Sequence, residues 1–295
     1  AAPFMWLGVT PTATHALFLL TSFVLAGVCM YLFVRSTTGQ APAALVAGVA
    51  FAFYPYRFDQ YCHFEQLFSF WMPLALWALH RTMSRGRLID GLLTGATVAA
   101  QYLSGMYLGA FFVVYVVPVW ALLASGTRRA RASLKPLLAG AGLALILVAP
   151  VAVPHLQARR AVGERPPSEV EFYSARPADY LVARADRVAY ATSFGRGPHE
   201  AERDLFPGIL VVILAAIALW PPTAVSRVAY AAGLLFAFDA SLGTHGHVFP
   251  FLYWTFVPFR AFRVPPRFSM LVGLSLVVLA GYGVARLTSR IPRPA

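Results

Sequence analysis

Apolar runs long enough to cross a lipid bilayer recur along the whole chain, and they constrain its fold more than any other feature. The first long run, residues 10–34, contains no Asp, Glu, Lys or Arg. About 20 such residues span the hydrocarbon core as a helix, where every backbone polar group must be satisfied internally. Because 59% of the 295 residues are hydrophobic and 12% are charged, we predict an all-α, polytopic transmembrane helix bundle of about eight or nine spans.

The alternation of apolar runs and polar breaks places the individual spans. One run, residues 92–125, is too long for a single helix, and the sequence QYLSGMY at 101–107 interrupts it. This break favours a helical hairpin over one kinked helix. The other spans are predicted at 10–34, 43–55, 67–79, 136–153, 209–220, 228–238 and 269–285.

Charged residues are distributed unequally between the breaks. One set of breaks carries Lys or Arg and only one acid, Asp90, as expected of short cytoplasmic loops. The net charge of +12 therefore reflects topology, and its dispersal argues against a nucleic-acid surface, so membrane lipids are the expected surroundings. The cytoplasmic segments are 35–42, 81–90, 126–135, 221–227 and the tail from 286; the extracytoplasmic segments are 56–66, 101–107, the large loop 157–205 and a second loop, 241–267.

A dense polar segment, here called the polar knot, directly precedes the span at 67–79. Ionisable groups at a bilayer are costly, so they are paired, solvated or functional. The knot therefore marks the extracytoplasmic end of the bundle as the place to look for chemistry. Its members are Tyr56, Arg57, Asp59, Gln60, His63, Glu65 and Gln66.

The motifs of common soluble enzymes are absent from the sequence. It contains no P-loop, no GxGxxG, no HExxH and no GxSxG pattern. The two cysteines, Cys29 and Cys62, indicate neither a disulfide framework nor a zinc site, and no metal site is predicted. The chain begins at Ala1 without a signal-peptide pattern. We therefore expect 1–295 to be one transmembrane domain, a fragment whose beginning is missing; a processed N-terminus is the alternative.

Several stretches resemble one group of membrane proteins. Residues 17–81 include ALVAGVAFAFYPYRFDQYCHFEQLFSFWMPLALWALHR, and the later stretches are QYLSGMYLG, ERDLFPG and FRAFRVPPRFSMLVGLSL. Together they resemble bacterial polytopic proteins of the GT-C glycosyltransferase superfold, relatives of the lipid-linked-sugar transferases that modify lipopolysaccharide cores or proteins. One departure concerns the usual His-x-Gln pattern, because His63, Glu65 and Gln66 stand here as HFEQ.

The resemblance implies an activity and a location. It implies a multi-pass protein of the bacterial inner (plasma) membrane that transfers a sugar from a polyprenyl-phosphate donor to an acceptor on the extracytoplasmic face. In the wider family an acidic residue of the first extracytoplasmic loop acts as base or metal ligand. That loop would lie upstream of this sequence, so a divalent metal bound there is the one cofactor left open. The alternative is a non-enzymatic component of lipid or polymer export or assembly on the same superfold.

The outer polar residues can be matched to what such a transfer needs. Arginines hold phosphate through charge-assisted hydrogen bonds, and an aspartate can act as general base. The plainer alternatives are interfacial anchoring for the arginines, an Arg57–Asp59 ion pair, a helix cap for Gln66 and an aromatic belt for the tyrosines. The predicted catalytic residues are Asp59 and His63; the predicted substrate-binding residues are Arg57, Gln66, Tyr102, Tyr107, Arg263 and Arg267.

Two structural expectations follow from this assignment. The polar knot and the arginines of FRAFRVPPRF should converge on one outer cavity. The loop 157–205 should pack over that cavity rather than extend into water, with the acids Glu202 and Asp204 favouring the N-terminus of the helix that follows. The apolar residues that would dock the loop are Phe172, Tyr173, Tyr180 and Phe206.

Overall fold

The computed structural model describes residues 2–126, 130–162, 165–183 and 202–289, and within these ranges the chain is helical, with no strand. The predicted all-α helix bundle is confirmed. Short 3-10 helices cover Pro177–Leu181, Gly243–His245, Val257–Ala261 and Pro265–Phe268. The α-helices are α1 (Ala2–Trp6), α2 (Pro11–Thr38), α3 (Ala41–Ala52), α4 (Pro55–Asp59), α5 (Phe64–Leu67), α6 (Trp71–Arg85), α7 (Leu88–Ser104), α8 (Met106–Ser125), α9 (Ala130–Val162), α10 (Pro167–Tyr173), α11 (Ile209–Leu219), α12 (Val225–Ser241), α13 (Val248–Thr255) and α14 (Ser269–Thr288).

The long helix α2 begins and ends where its sequence predicts. Thr10 accepts a hydrogen bond from the Ala13 amide through its hydroxyl, and Pro11 occupies the first turn, where its missing N–H is harmless. At the other end Gly39 adopts a left-handed conformation with φ of 71° and donates its N–H to Arg35, a usual way of ending a helix.

Nine of the described helices fall on the predicted spans: α2, α3, α6, α7, α8, α9, α11, α12 and α14. Four described segments are long and apolar enough to cross a membrane, namely Pro11–Thr38, Met106–Ser125, Ala132–Pro154 and Pro265–Thr288. The other five helices are shorter, at 11 to 17 residues. The third span begins at Trp71 rather than at residue 67, and α9 continues five residues past the predicted loop start, to Val162.

Helix α14 forms the centre of the bundle, and every residue from Ser269 to Gly283 is buried. It packs against α3, α11 and α12. A Cβ added at Gly283 would clash with the Leu214 carbonyl of α11, so a small residue permits the close approach of the two backbones. The core of the protein is therefore this helix and its neighbours.

Helices α7 and α8 form the predicted hairpin, broken at Gly105. On its other side α7 packs against α9. Here the glycines Gly95 and Gly140 face each other, and a Cβ on Gly95 would overlap the Gly140 backbone. The two helices consequently approach as closely as helices with small interface residues can.

The connections gather at two ends of the bundle. At one end the polar knot meets the hairpin break, the described part of the 157–205 loop and the short helices between α12 and α14. At the other end side chains close the turns on backbone carbonyls, as when Gln40 donates to Ala285 and Arg286 donates to Trp220 and Pro221. Most of the described charged side chains that bond to one another lie at the knot end.

Candidate functional site

Arg57 anchors the polar knot from within, because its side chain is fully buried. Its Nε donates to the Ser69 hydroxyl at 3.2 Å, and one terminal nitrogen donates to the Ala52 carbonyl at 2.8 Å. The other donates to the carbonyls of Ser22 and Leu67 at 2.8 and 2.9 Å and lies 3.2 Å from the Ser22 hydroxyl. The guanidinium thus ties together α2, the end of α3 and the end of α5.

These bonds explain why the predicted third span is interrupted. In a continuous helix the Leu67 carbonyl would accept from the amide of residue 71. Arg57 takes this carbonyl instead, and the chain bends before α6 begins at Trp71. The partners of Arg57 are neutral groups, with its guanidinium carbon also 4.4 Å from the centre of the Phe23 ring. Neither the predicted phosphate role nor the alternative ion pair with Asp59 corresponds to this arrangement.

Glu202 is the point at which distant parts of the chain meet. Its Oε2 accepts from the Tyr56 hydroxyl at 2.7 Å and from the Gln60 amide at 3.4 Å. Its Oε1 accepts from Arg267 at 2.9 Å, and Arg267 also lies 3.9 Å from the Glu65 carboxylate. The polar knot and the predicted arginine segment therefore converge, through one carboxylate that joins them.

The tyrosine of the hairpin break completes this cluster. Tyr107 places its ring 4.7 Å from the guanidinium carbon of Arg267, a favourable position for a cation. Its hydroxyl accepts a 3.2 Å hydrogen bond from the Arg263 amide. The Arg263 side chain turns to Glu169 of α10, at 2.6 Å, and lies over the Tyr173 ring at 5.5 Å. Each of the two arginines thus combines a carboxylate with an aromatic face.

Gly105 allows the hairpin break to reach the knot. A Cβ at this position would overlap the carbonyl oxygen of Glu65, so the two backbones touch. Two residues later the chain presents Tyr107 beneath Arg267. Tyr102 lies on the other side of the break and packs against Gly109 of α8; it is half-buried and does not join the charged cluster in the contacts described.

Burial controls the ionisation of Tyr56. The fully buried position, and next the nearby Glu202 carboxylate, raise the pKa of this phenol well above its ordinary value. The hydroxyl therefore stays protonated and remains a donor to Glu202. For Arg263, the hydrogen bond to Glu169 raises the pKa of an already cationic group, so its positive charge is permanent.

The remaining predicted residues lie around this cluster. Asp59 is buried at the end of α4, and His63 is half-buried with its Nδ1 3.3 Å from the Cys62 sulfur. Gln66 donates to the Gln60 side chain at 3.2 Å. In the described part of the chain its Oε1 has no hydrogen-bond partner, and neither does the Nε of Arg267. Two buried polar atoms of the predicted site therefore have no hydrogen-bond partner among the described residues.

The described parts of the 157–205 loop pack against the bundle. Tyr180 and Phe206 are buried, and the Tyr180 hydroxyl lies 2.7 Å from that of Ser241 on α12. Phe172 was expected to dock as well, but it is 62% exposed, because α10 turns its other side, with Val170, to the core. Residues 184–201 lie outside the described ranges.

Sequence reasoning did not assign Glu202 and Glu169 to the site. Glu202 was expected to favour the N-terminus of the following helix, whereas it bonds Tyr56 and Arg267. The available signal was the scarcity of acids: with 12 Asp and Glu against 24 Lys and Arg, an outer acid has several arginines to pair with. Among the described residues no group of three His, Cys, Asp or Glu side chains could hold a metal ion.

Comparison with known proteins gives one match. A family model described as dolichyl-phosphate-mannose-protein mannosyltransferase matches residues 6–153, which is half of the chain. The matched region contains the whole polar knot, the α7–α8 hairpin and most of α9. No curated protein and no solved structure matches the chain.

Proposed function

The chain belongs to the dolichyl-phosphate-mannose-protein mannosyltransferase family, and we propose from this membership that it transfers a sugar from a polyprenyl-phosphate donor to an acceptor at the polar knot. Its family is one of membrane glycosyltransferases, and its apolar helices make it a multi-pass membrane protein. The match over residues 6–153 is the observation that carries the proposal. The identity of the donor, the acceptor and the side of the membrane are proposals that go beyond family membership.

The distribution of charge supports the side of the membrane that we propose. Basic residues with a single acid occupy the turns at the end opposite the knot, as is usual for cytoplasmic loops. The proposed site then faces the extracytoplasmic side, in a bacterial plasma membrane. There a polyprenyl-phosphate donor presents its phosphate at the surface while its hydrocarbon chain stays in the bilayer.

Arg263 and Arg267 are the proposed phosphate ligands. Arg263 is the more accessible, with 41% of its side chain exposed against 12% for Arg267. Both are now paired with carboxylates, which a donor phosphate would replace or join through the same N–H groups. The Nε of Arg267 is a further donor, since no described residue accepts from it. Arg57 is left out of this set, because its N–H groups bind the chain itself.

The proposed reaction uses residues of the knot at the sugar. The acceptor hydroxyl oxygen bonds to the anomeric carbon as the bond from that carbon to the phosphate oxygen breaks. The hydroxyl proton passes to a carboxylate, and polyprenyl phosphate leaves. Asp59 is the proposed base within this sequence. His63 and the Oε1 of Gln66, which has no hydrogen-bond partner among the described residues, are proposed to orient sugar hydroxyls. Tyr107 would lie beside the phosphate.

A transfer assay tests this proposal. The protein, reconstituted in lipid nanodiscs, would be given a radiolabelled polyprenyl-phosphate mannose and a hydroxyl-bearing peptide acceptor. We expect Arg267→Ala to lower transfer roughly tenfold to a hundredfold, because a charge-assisted hydrogen bond contributes about 1.5–3 kcal/mol. Arg176→Ala, which removes an exposed arginine of the 157–205 loop, is the control and should retain activity. Unchanged transfer by the Arg267 variant would contradict the assignment.

A further inference from the structure

A basic surface lies at the end of the bundle opposite the polar knot, where α6 turns into α7. Arg85 ends α6 and Arg87 directly precedes α7, and both side chains are exposed. Gly86, between them, adopts a φ of 66°, and a Cβ added to it would contact Ala132 in the first turn of α9. The exposed Lys135 follows about one turn further along α9. These three cations, here called the basic turn, therefore lie on adjoining elements.

The one acid of this region does not neutralise the basic turn. Asp90 is the sole Asp or Glu in the sequences of α6, α7 and α9, and it is 1% exposed. Its Oδ1 lies 2.8 Å from both the Nε and a terminal nitrogen of Arg81. The charge of Asp90 is therefore paired inside the bundle, and the basic turn presents three positive charges at the surface.

The side chains of the basic turn do not hold the fold together. At the same end of the bundle, Arg227 and Arg286 donate to backbone carbonyls and close the turn between α11 and α12. The three side chains of the basic turn, in contrast, form no hydrogen bond or ion pair with any residue that the structure describes. They are available to an anion that comes from outside the chain.

Exposed apolar side chains adjoin these cations. Leu88 and Ile89 follow Arg87 directly, and Leu134 and Leu138 stand one turn apart on α9; all four are exposed. The segment of α9 from residue 132 to residue 154 is long and apolar enough to cross a membrane, so its first turns lie where lipid headgroups meet hydrocarbon. A ligand that covers this surface combines an anionic group with alkyl chains, whereas a soluble phosphate compound would leave the apolar side chains uncovered.

We propose that the basic turn binds the headgroup of an anionic phospholipid, such as phosphatidylglycerol, whose acyl chains lie along Leu134 and Leu138. Arginine can hold a phosphate through two parallel hydrogen bonds, and lysine adds a compact charge. Basic pockets between membrane helices bind acidic headgroups in this way. The lipid would bridge the α6–α7 turn and the start of α9. This site is separate from the transfer proposed above and does not depend on it.

Binding of a fluorescent phosphatidylglycerol to the purified full chain in a neutral detergent tests the proposal. Arg87→Gln should weaken binding about threefold to tenfold, and the difference should shrink as the salt concentration rises. Arg35→Gln is the matched control, because it removes an equal charge from an exposed position at the same end of the bundle, in the last turn of α2. Its affinity should stay within about twofold of the original. Equal weakening by the two substitutions would overturn the proposal, as would unlabelled phosphatidylcholine that competes as well as unlabelled phosphatidylglycerol.

Two further measurements identify the source of the anion and exclude misfolding. Glycerol 3-phosphate carries a phosphate without acyl chains, so it should not displace the fluorescent lipid; displacement as effective as that by phosphatidylglycerol would overturn the lipid assignment. Without lipid, Arg87→Gln should melt at the same temperature as the original protein, because its side chain bonds to no described residue. Added phosphatidylglycerol should raise the melting temperature of the variant less than that of the original protein. Equal rises in the two proteins would contradict the proposal.

Discussion

Arg57, which is fully buried, and Arg267, whose side chain is 12% exposed, lie at the same end of the bundle but have partners of opposite kinds. The partners of Arg57 are carbonyl and hydroxyl oxygens, 35 residues or fewer away along the chain. Arg267 binds two carboxylates and an aromatic ring, at sequence separations of 65 to 202 residues. The first region joins neighbouring helices, and the second joins the knot, the hairpin and the long loop.

This difference in partners assigns a structural role to Arg57 and an anion-binding role to Arg267. Neutral oxygens cannot be exchanged for a phosphate without undoing the ends of α3 and α5, so Arg57 belongs to the scaffold. Carboxylates at Arg267 are anions, and another anion can take their place with the same geometry. A charged, partly solvated pair also contributes little to stability compared with buried hydrogen bonds that are all satisfied. The following substitutions are ordered by the size of their expected effect.

Removing Arg57 should have the largest effect on stability. Arg57→Ala leaves the buried carbonyls of Ala52, Ser22 and Leu67 without this donor, and we expect a loss of about 3–5 kcal/mol in folding free energy. Thermal unfolding of the purified protein in nanodiscs would measure it. Arg57→Lys should recover little, because an ammonium group cannot reproduce the planar fork. Near-normal stability of the alanine variant would contradict the structural role of Arg57.

Gly105→Ala should damage the connection between the hairpin and the knot. The added Cβ would overlap the Glu65 carbonyl, and forcing the two backbones apart should cost about 1–3 kcal/mol. Tyr107 would move away from Arg267, so transfer should fall as well. Gly142→Ala is the control, since nothing lies within 4 Å of its added Cβ. The melting temperatures of the two variants give the result, and equal values would contradict the close approach.

Glu202→Gln tests whether Arg267 can exchange its carboxylate partner for another anion. It removes the strongest competing anion at Arg267 while keeping a side chain of the same size. We expect inorganic phosphate or short-chain prenyl phosphate to bind roughly threefold to tenfold more tightly, as one charged contact is released. Glu171→Gln, at an exposed position of α10, should leave binding unchanged. Isothermal titration calorimetry would measure the affinity of each variant for the phosphate compound. Weaker binding by the Glu202 variant would mean that this carboxylate supports the anion site.

The smallest effect concerns the Tyr56 hydroxyl. Tyr56→Phe removes its hydrogen bond to Glu202, and we expect a loss of about 0.5–1.5 kcal/mol in folding free energy. The adjacent Tyr54 is equally buried, but its hydroxyl has no partner in the described part of the chain. Tyr54→Phe should therefore be neutral or slightly stabilising. Denaturant unfolding that gives the same cost for both variants would show that the Glu202 bond contributes nothing.

The helices could be predicted because each depends on residues near one another in sequence. The break QYLSGMY became the hairpin turn at Gly105, and the run around Leu271 became the central helix α14. The partners of Arg57 and Glu202 could not be predicted, because they depend on which side chains the folded bundle brings together. A polar residue before an apolar run is compatible with either an anchor or a ligand site; only burial and partners distinguish Arg57 from Arg267.

The structure of the protein with a polyprenyl-phosphate sugar donor bound would test the central claim most directly, namely that the knot and Arg267 form one donor site. We predict phosphate oxygens at about 2.7–2.9 Å from the guanidinium nitrogens of Arg267, the sugar toward Asp59 and His63, and Arg57 bonded as it is now. A phosphate bound elsewhere, with the Arg267–Glu202 pair intact at 2.9 Å, would contradict it.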